Sequence, residues 1–242
     1  MACNVLILGC GRSGTSIFGE LFNAFPSFDY LEEPFVAEIP KHPSRSIAVK
    51  VPRLAAGVAA PPGCALPDQL LATVPAEPRT VFWQVRHPYD AVCSLRVGIA
   101  DDWGHHPRPP DWQEWLSRPL VERCAHHWAT INTLGYAQVA KIALVNRFEE
   151  MVKDPMGTAR RTATAVGLDC EALDEPISVW ANRVRDTNDD RFVEARMSRR
   201  RSRPDHTRRV GRWRENLTSE DCMRIRPIVA AAAANFEYSL DA

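Results

Sequence analysis

Apolar residues come in short blocks along the chain. Each block is followed by a polar turn and then by a stretch with helical spacing. The run from Asn4 to Leu8 is compact and apolar enough for a buried strand. Thr15–Ala24 then places Ile17, Phe18, Leu21 and Phe22 on one face, which predicts an amphipathic helix. Ser46–Pro52, Thr80–Val85 and Ile142–Val145 repeat the strand signal, and Pro88 stands where a helix after the third strand would begin. Helices are further expected over Leu66–Val74, Leu116–Ala140, Glu149–Val152 and Pro155–Val166. A final helix is expected with Ser219 as N-cap and Glu220 and Asp221 in its first turn. Strands alternating with helices predict an α/β fold: a P-loop-like three-layer α/β/α arrangement with a central parallel sheet, in a single domain over 1–242. Ligands of such sheets bind at the carboxyl ends of the strands.

Two chemical signals fall at those ends. The first strand runs into Gly9-Cys-Gly-Arg-Ser-Gly-Thr-Ser16. A nucleotide-triphosphate loop has Gly, four residues, Gly, Lys and then Ser or Thr. Gly9, Gly14 and Ser16 keep that spacing, but Thr15 holds the lysine position and the cation sits inside the loop, at Arg12. Backbone N–H groups and a helix N-terminus still suit an anion. The lysine that reaches the β/γ-phosphates is missing, so the expected ligand carries phosphate but is not a triphosphate.

The second signal is Arg86-His-Pro-Tyr-Asp-Ala-Val-Cys-Ser94, where an arginine ends a strand and a serine follows on the next helix. A guanidinium fork binds phosphate bidentately. Two neighbouring anion sites imply a ligand with two separated anionic groups. A third element, Gly211-Arg-Trp-Arg-Glu-Asn-Leu-Thr218, follows an arginine-rich run.

Composition narrows the picture. With 242 residues, 45% hydrophobic and a formal net charge of zero, the chain has room for a full core and no overall pull on nucleic acid or membrane. Arg196 to Arg214 carries nine arginines against the single acid Asp205, and 196–210 is expected to be a mobile segment closing over the ligand. The seven cysteines include no C-x-x-C pair, and the number is odd. Reduced thiols in a cytoplasmic setting fit that usage. No signal peptide, membrane span or metal-ligand spacing is expected. His105, His106, Trp103 and Trp112 could line an acceptor pocket, with a solvated loop as the simpler account. Tandem His126 and His127 suggest one exposed and one core histidine, Trp213 a packing anchor, and Glu149 a structural role.

These motifs resemble the sulfotransferases that use 3′-phosphoadenosine-5′-phosphosulfate (PAPS). Arg12-Ser-Gly-Thr-Ser16 looks like their 5′-phosphosulfate loop, and Arg86 to Ser94 like their 3′-phosphate motif. Gly211-Arg-Trp-Arg is similar to their C-terminal element, and Arg147-Phe-Glu-Glu to a segment that precedes a helix. Gly11 to Pro34 most resembles the carbohydrate 6-O-sulfotransferases, where the loop helix runs into an aromatic strand and a Glu-Pro.

The resemblance implies transfer of a sulfuryl group from PAPS, leaving PAP. The acceptor would be a hydroxyl, or less readily an amine, on a small molecule or glycan. Gly11, Arg12, Ser13, Gly14, Thr15 and Ser16 would hold the 5′ group, and Arg86 and Ser94 the 3′-phosphate. Arg208 and Arg209 would stand in for a Lys-Gly pair that this chain lacks. By likeness to tyrosylprotein sulfotransferases, Glu33 would be the base, with Glu32 the alternative, and Lys50 would assist the sulfuryl oxygen. Lys50 could equally be a partner of those glutamates. A kinase-like nucleotide enzyme is the competing reading.

Overall fold

The structure is a computed structural model that describes residues 3–51, 79–100, 103–186 and 208–241. The helix expected at Leu66–Val74 lies outside the described residues, as does the arginine-rich segment up to residue 207.

Five parallel strands form the sheet: β1 (Asn4–Gly9), β2 (Phe28–Glu32), β3 (Ser46–Lys50), β4 (Arg79–Val85) and β5 (Ala143–Arg147), in the order β2-β3-β1-β4-β5. β1 lies at the centre, paired along its length with β4 from Asn4↔Arg79 to Gly9↔Gln84, and with β3 at Val5↔Ala48. Its side chains alternate between two cores, as strand geometry requires. Leu6 and Leu8 join Val49, Trp83 and Val85 on one face, while Val5 and Ile7 join Ala48 and Phe82 on the other. The sheet is therefore covered on both sides, and the three-layer expectation holds.

Helix α1 (Thr15–Ala24) covers the second face. Phe22 makes ring contacts with Phe18, Phe25, Phe28 and Phe82, at centroid distances of 5.3–6.0 Å. Truncating such a ring to alanine typically costs about 3–5 kcal/mol. Helices α4 (Phe148–Lys153), α5 (Pro155–Ala165) and α6 (Asp174–Ala181) complete this layer. The first face carries α2 (Pro88–Ile99), α3 (Leu120–Thr130) and α8 (Ser219–Ala234), with the single turn α7 (Trp213–Asn216) before the last.

Three expectations need correction. The long helix starts at Leu120, because Pro119 supplies its N-cap, and not at Leu116. It also loosens into a π-turn over Ile131–Gly135 before Tyr136–Val139. There Asn132 accepts from Trp83 Nε1 at 3.0 Å and donates to Trp128 O. The last helix is capped by Thr218, whose hydroxyl accepts from Asp221 N while Asp221 accepts from Thr218 N. Ser219 is therefore the first helical residue. β2 was visible only through the family likeness. It is an edge strand whose one fully buried residue is Phe28.

Candidate functional site

The turn after β1 is shaped by close packing against its neighbours. A Cβ on Gly9 would lie 2.2 Å from Gln84 O, and one on Gly14 would lie 2.4 Å from the Phe148 ring. Gly14 also has φ 91°, a left-handed conformation natural to glycine. It caps α1 without any side-chain hydrogen bond to the first turn. The first N–H groups of a helix have no intrahelical acceptor, so those of Thr15 and Ser16 remain suited to an anion. Ser13 is tied into the turn by its backbone. Its N–H closes the turn on Cys10 O at 3.2 Å, its carbonyl accepts from Gln84 Nε2 at 3.1 Å, and its side chain is buried. Ser13 thus shapes the loop through its backbone.

Arg12 has φ 66°, an uncommon conformation for a residue with a side chain. Its Nε donates to Ser94 Oγ at 3.0 Å, while Arg86 Nη1 donates to Arg12 O at 3.3 Å. The loop and the arginine–serine pair therefore lie side by side at the carboxyl ends of β1 and β4. Arg86 is itself buried, with its guanidinium 4.5 Å from the Phe148 ring centroid and its Nη2 donating to Arg209 O. Arg86 does not pair with Asp90. The Asp90 carboxylate, also buried, accepts from Gly211 N at 2.7 Å and Trp213 N at 2.9 Å. Asp186 Oδ1 accepts in the same way from Arg209 N and Val210 N. Two carboxylates thus staple the 209–213 segment over Arg86. Trp213 is the anchor expected, 5.2 Å from the Tyr89 ring in a T-shaped contact. Glu149 lies below, accepting from His87 N at 2.8 Å and Tyr238 Oη at 2.7 Å.

On the other flank, Lys50 ends β3 and is buried. Its ammonium donates to Glu33 Oε1 at 2.7 Å, Ser16 Oγ at 2.8 Å and Glu32 Oε1 at 3.3 Å. Both glutamates thus converge on the loop helix through one cation, and three acceptors match the three ammonium hydrogens. Glu33 has φ 46° and its N–H is held by Lys50 O at 2.9 Å. Strain of this kind persists where the surroundings over-determine it.

Several contributors went unread in the sequence. Gln84 is fully buried within an apolar strand and accepts from Asn146 Nδ2 at 2.6 Å while holding Ser13 O. A lone polar residue in such a strand was the available signal. The segment from Trp103 is solvated only in part: Gly104, His106 and Pro110 are exposed, and Trp103 is not. Trp103 is fully buried and donates from Nε1 to His127 Nδ1 at 3.1 Å. His126 is half-buried and not exposed, stacked 4.0 Å from Trp115 and bonded to Asp111 at 2.7 Å. Burial raises the Asp111 carboxyl, but the bonds from His126 and Trp115 outweigh it and hold it below the usual range. Burial, with His105, His126 and His106 nearby, pushes His127 well below an ordinary histidine. The six described cysteines are free, and burial pushes Cys93 up to about 12. Among the described residues, no cluster of three or more His, Cys, Asp or Glu could hold a metal ion, and no helix is long and apolar enough to cross a membrane.

No protein-family model and no curated protein matches the chain in sequence. Solved structures do match in shape. A mouse sulfotransferase, SULT7A1, complexed with PAP aligns over 97% of this chain and 84% of its own, with TM-score 0.57 and 15% identity. The architecture is the sulfotransferase fold. Sulfotransferase STF9 from Mycobacterium avium aligns over 98% of this chain and 78% of its own (TM-score 0.56, 14% identity). A retinol dehydratase in complex with androsterone and inactive cofactor PAP aligns over 98% and 82% (TM-score 0.54, 14% identity). At this identity the likeness is one of fold.

Proposed function

We propose that the protein is a PAPS-dependent sulfotransferase acting on a hydroxyl of a carbohydrate or sugar-bearing small molecule. The observation that carries this reading is the contact of Arg12 with both Ser94 and Arg86. Two guanidinium groups so close would suit the two anions of an adenosine bisphosphate, and the loop lacks the lysine a triphosphate would need. Two of the fold neighbours were solved with PAP, which supports the same donor.

In this reading the N–H groups of Thr15 and Ser16, with Arg12, hold the 5′-phosphosulfate, and Arg86 and Ser94 hold the 3′-phosphate. Arg208 and Arg209 flank that phosphate on the strap that covers Arg86. Glu33, or Glu32 beside it, takes the proton of the acceptor hydroxyl. The acceptor oxygen forms a bond to sulfur as the bridging S–O bond breaks, and the electron pair leaves on the phosphate oxygen. Arg12 and Lys50 balance the charge that develops on the leaving and transferred oxygens. Displacements of this kind are governed by positioning and charge stabilisation. A positioned base typically supplies about 10²–10⁴-fold, and one preorganised oxyanion donor about 10²–10³-fold. The requirement of a carbohydrate acceptor rests on the likeness of Gly11 to Pro34 to the 6-O-sulfotransferases. The cytoplasmic setting rests on cysteine usage.

Thermal unfolding with ligands tests the donor. A ligand that binds only the native state raises the melting temperature by mass action. PAP is expected to raise it more than ATP with Mg²⁺. The opposite order would favour a kinase-like nucleotide enzyme.

A further inference from the structure

The chain leaving α6 is moored on the loop helix. Trp180 Nε1 donates to Ile17 O at 2.8 Å, and Arg183 pairs with Glu20 at 2.6 Å, so the segment meets α1 at two points. Asp186, just beyond, clasps the strap. Its main-chain carbonyl accepts from Arg209 N at 2.7 Å, and its Oδ1 accepts from Arg209 N at 3.1 Å and from Val210 N at 2.7 Å. Asp90 holds the next stretch, through Gly211 N and Trp213 N. Of the two carboxylates, Asp186 is therefore the one that fixes Arg209. The Arg209 carbonyl in turn accepts from Arg86 Nη2, while Arg12 O accepts from Nη1. Arg86 Nε is buried and has no hydrogen-bond partner among the described residues. Two neutral carbonyls thus hold the guanidinium by its outer nitrogens and leave a buried N–H unpaired. Such a donor is costly to leave unmet, and a phosphate oxygen would satisfy it.

We propose that Asp186 is a positioning residue for the 3′-phosphate: by clasping the Arg209 and Val210 amides it sets the Arg209 carbonyl against Arg86, and so aims the guanidinium at the phosphate. The proposal rests on the PAPS reading of Arg86 and Ser94. Asp186 acts through Arg86 and not on the ligand itself. A guanidinium fork matches phosphate only in a narrow geometry. Loosening the carbonyl that holds Nη2 therefore costs affinity for the 3′-phosphate and spares the 5′ end, which falls to the loop after β1.

Calorimetry with PAP, and with AMP as the ligand that lacks the 3′-phosphate, provides the test. Asp186→Ala is expected to weaken PAP by about tenfold, the worth of one charge-assisted hydrogen bond, and AMP by less than about twofold. Asp186→Asn, whose side-chain oxygen still accepts from both amides, should recover most of the PAP affinity. On an Arg86→Ala background, Asp186→Ala should cost less than about twofold more, because its route to the phosphate is already gone. A merely structural role would lower PAP and AMP together. Equal losses for the two ligands, a tenfold loss that persists without Arg86, or no loss at all would each overturn the proposal. Should Asp186→Ala not fold, Asp186→Glu, which keeps the charge but moves the oxygen, is read by the same criteria. A wild type that binds PAP no more tightly than AMP overturns the PAPS reading and this proposal with it, whereas a wild type that prefers PAP keeps that reading whatever the variants do.

Discussion

Arg12 Nε donates to Ser94 Oγ at 3.0 Å across 82 positions of sequence, joining the turn after β1 to the helix after β4. In the proposed reading these residues serve opposite ends of one donor, so their effects should not be independent. Contacting residues usually show coupling of about 0.5–3 kcal/mol. A double-mutant cycle of Arg12→Ala and Ser94→Ala on PAP affinity, measured by calorimetry, is expected to show coupling in that range. Strictly additive losses would mean that the contact carries no binding energy.

Arg86→Ala is expected to weaken PAP by about 10–100-fold, since charge-assisted hydrogen bonds contribute about 1.5–3 kcal/mol. AMP, which lacks the 3′-phosphate, should lose far less. Arg86→Lys should not restore affinity, because an ammonium cannot reproduce a fork that reaches Arg12 O and Arg209 O while stacking on Phe148. Equal losses for PAP and AMP would remove Arg86 from the 3′ site.

Glu33→Gln is expected to keep PAP affinity within about threefold and to lower turnover by about 10²–10⁴-fold. Glu32→Gln provides the contrast, because both carboxylates reach Lys50. If turnover survives in the first variant and fails in the second, the base is Glu32.

Stability should fall as the pH drops below the ordinary histidine value of 6.5, because His127 is fully buried and held well below it, chiefly by burial. The sign follows from proton binding. The unfolded chain takes up a proton that the native state refuses, so the contribution is complete above 6.5 and is lost as the pH falls. The slope for one such group reaches about 1.4 kcal/mol per pH unit. Urea titrations between pH 7 and pH 5 should show it, and His127→Asn, which keeps an acceptor for Trp103 Nε1, should flatten it. An unchanged slope would assign the loss to other groups.

Much of this architecture can be read from local pattern. β1, α1, β4 and the start of α2 at Pro88 follow from apolar runs, helical spacing and proline placement. The anion loop follows from glycine spacing and the arginine within it. The features that escaped depend on distant partners. Pro119 and the Asn132–Trp83 bond set the limits of α3, and neither shows in helical periodicity. Gln84 and Asp90 owe their roles to backbone groups 71 and 121 positions away. Trp103 is buried on His127 in a segment that composition presents as an ordinary polar loop.

Asp90 also bears on how the chain is made. Its carboxylate is enclosed by amides that emerge from the ribosome 121 and 123 residues later. A nascent chain that has translated only α2 would have to leave that charge hydrated, so the surrounding layer stays open until Gly211 and Trp213 arrive. Completion of the central layers is thereby timed to late translation, and a fragment stopping short of residue 211 would carry an unfinished core with a stranded charge.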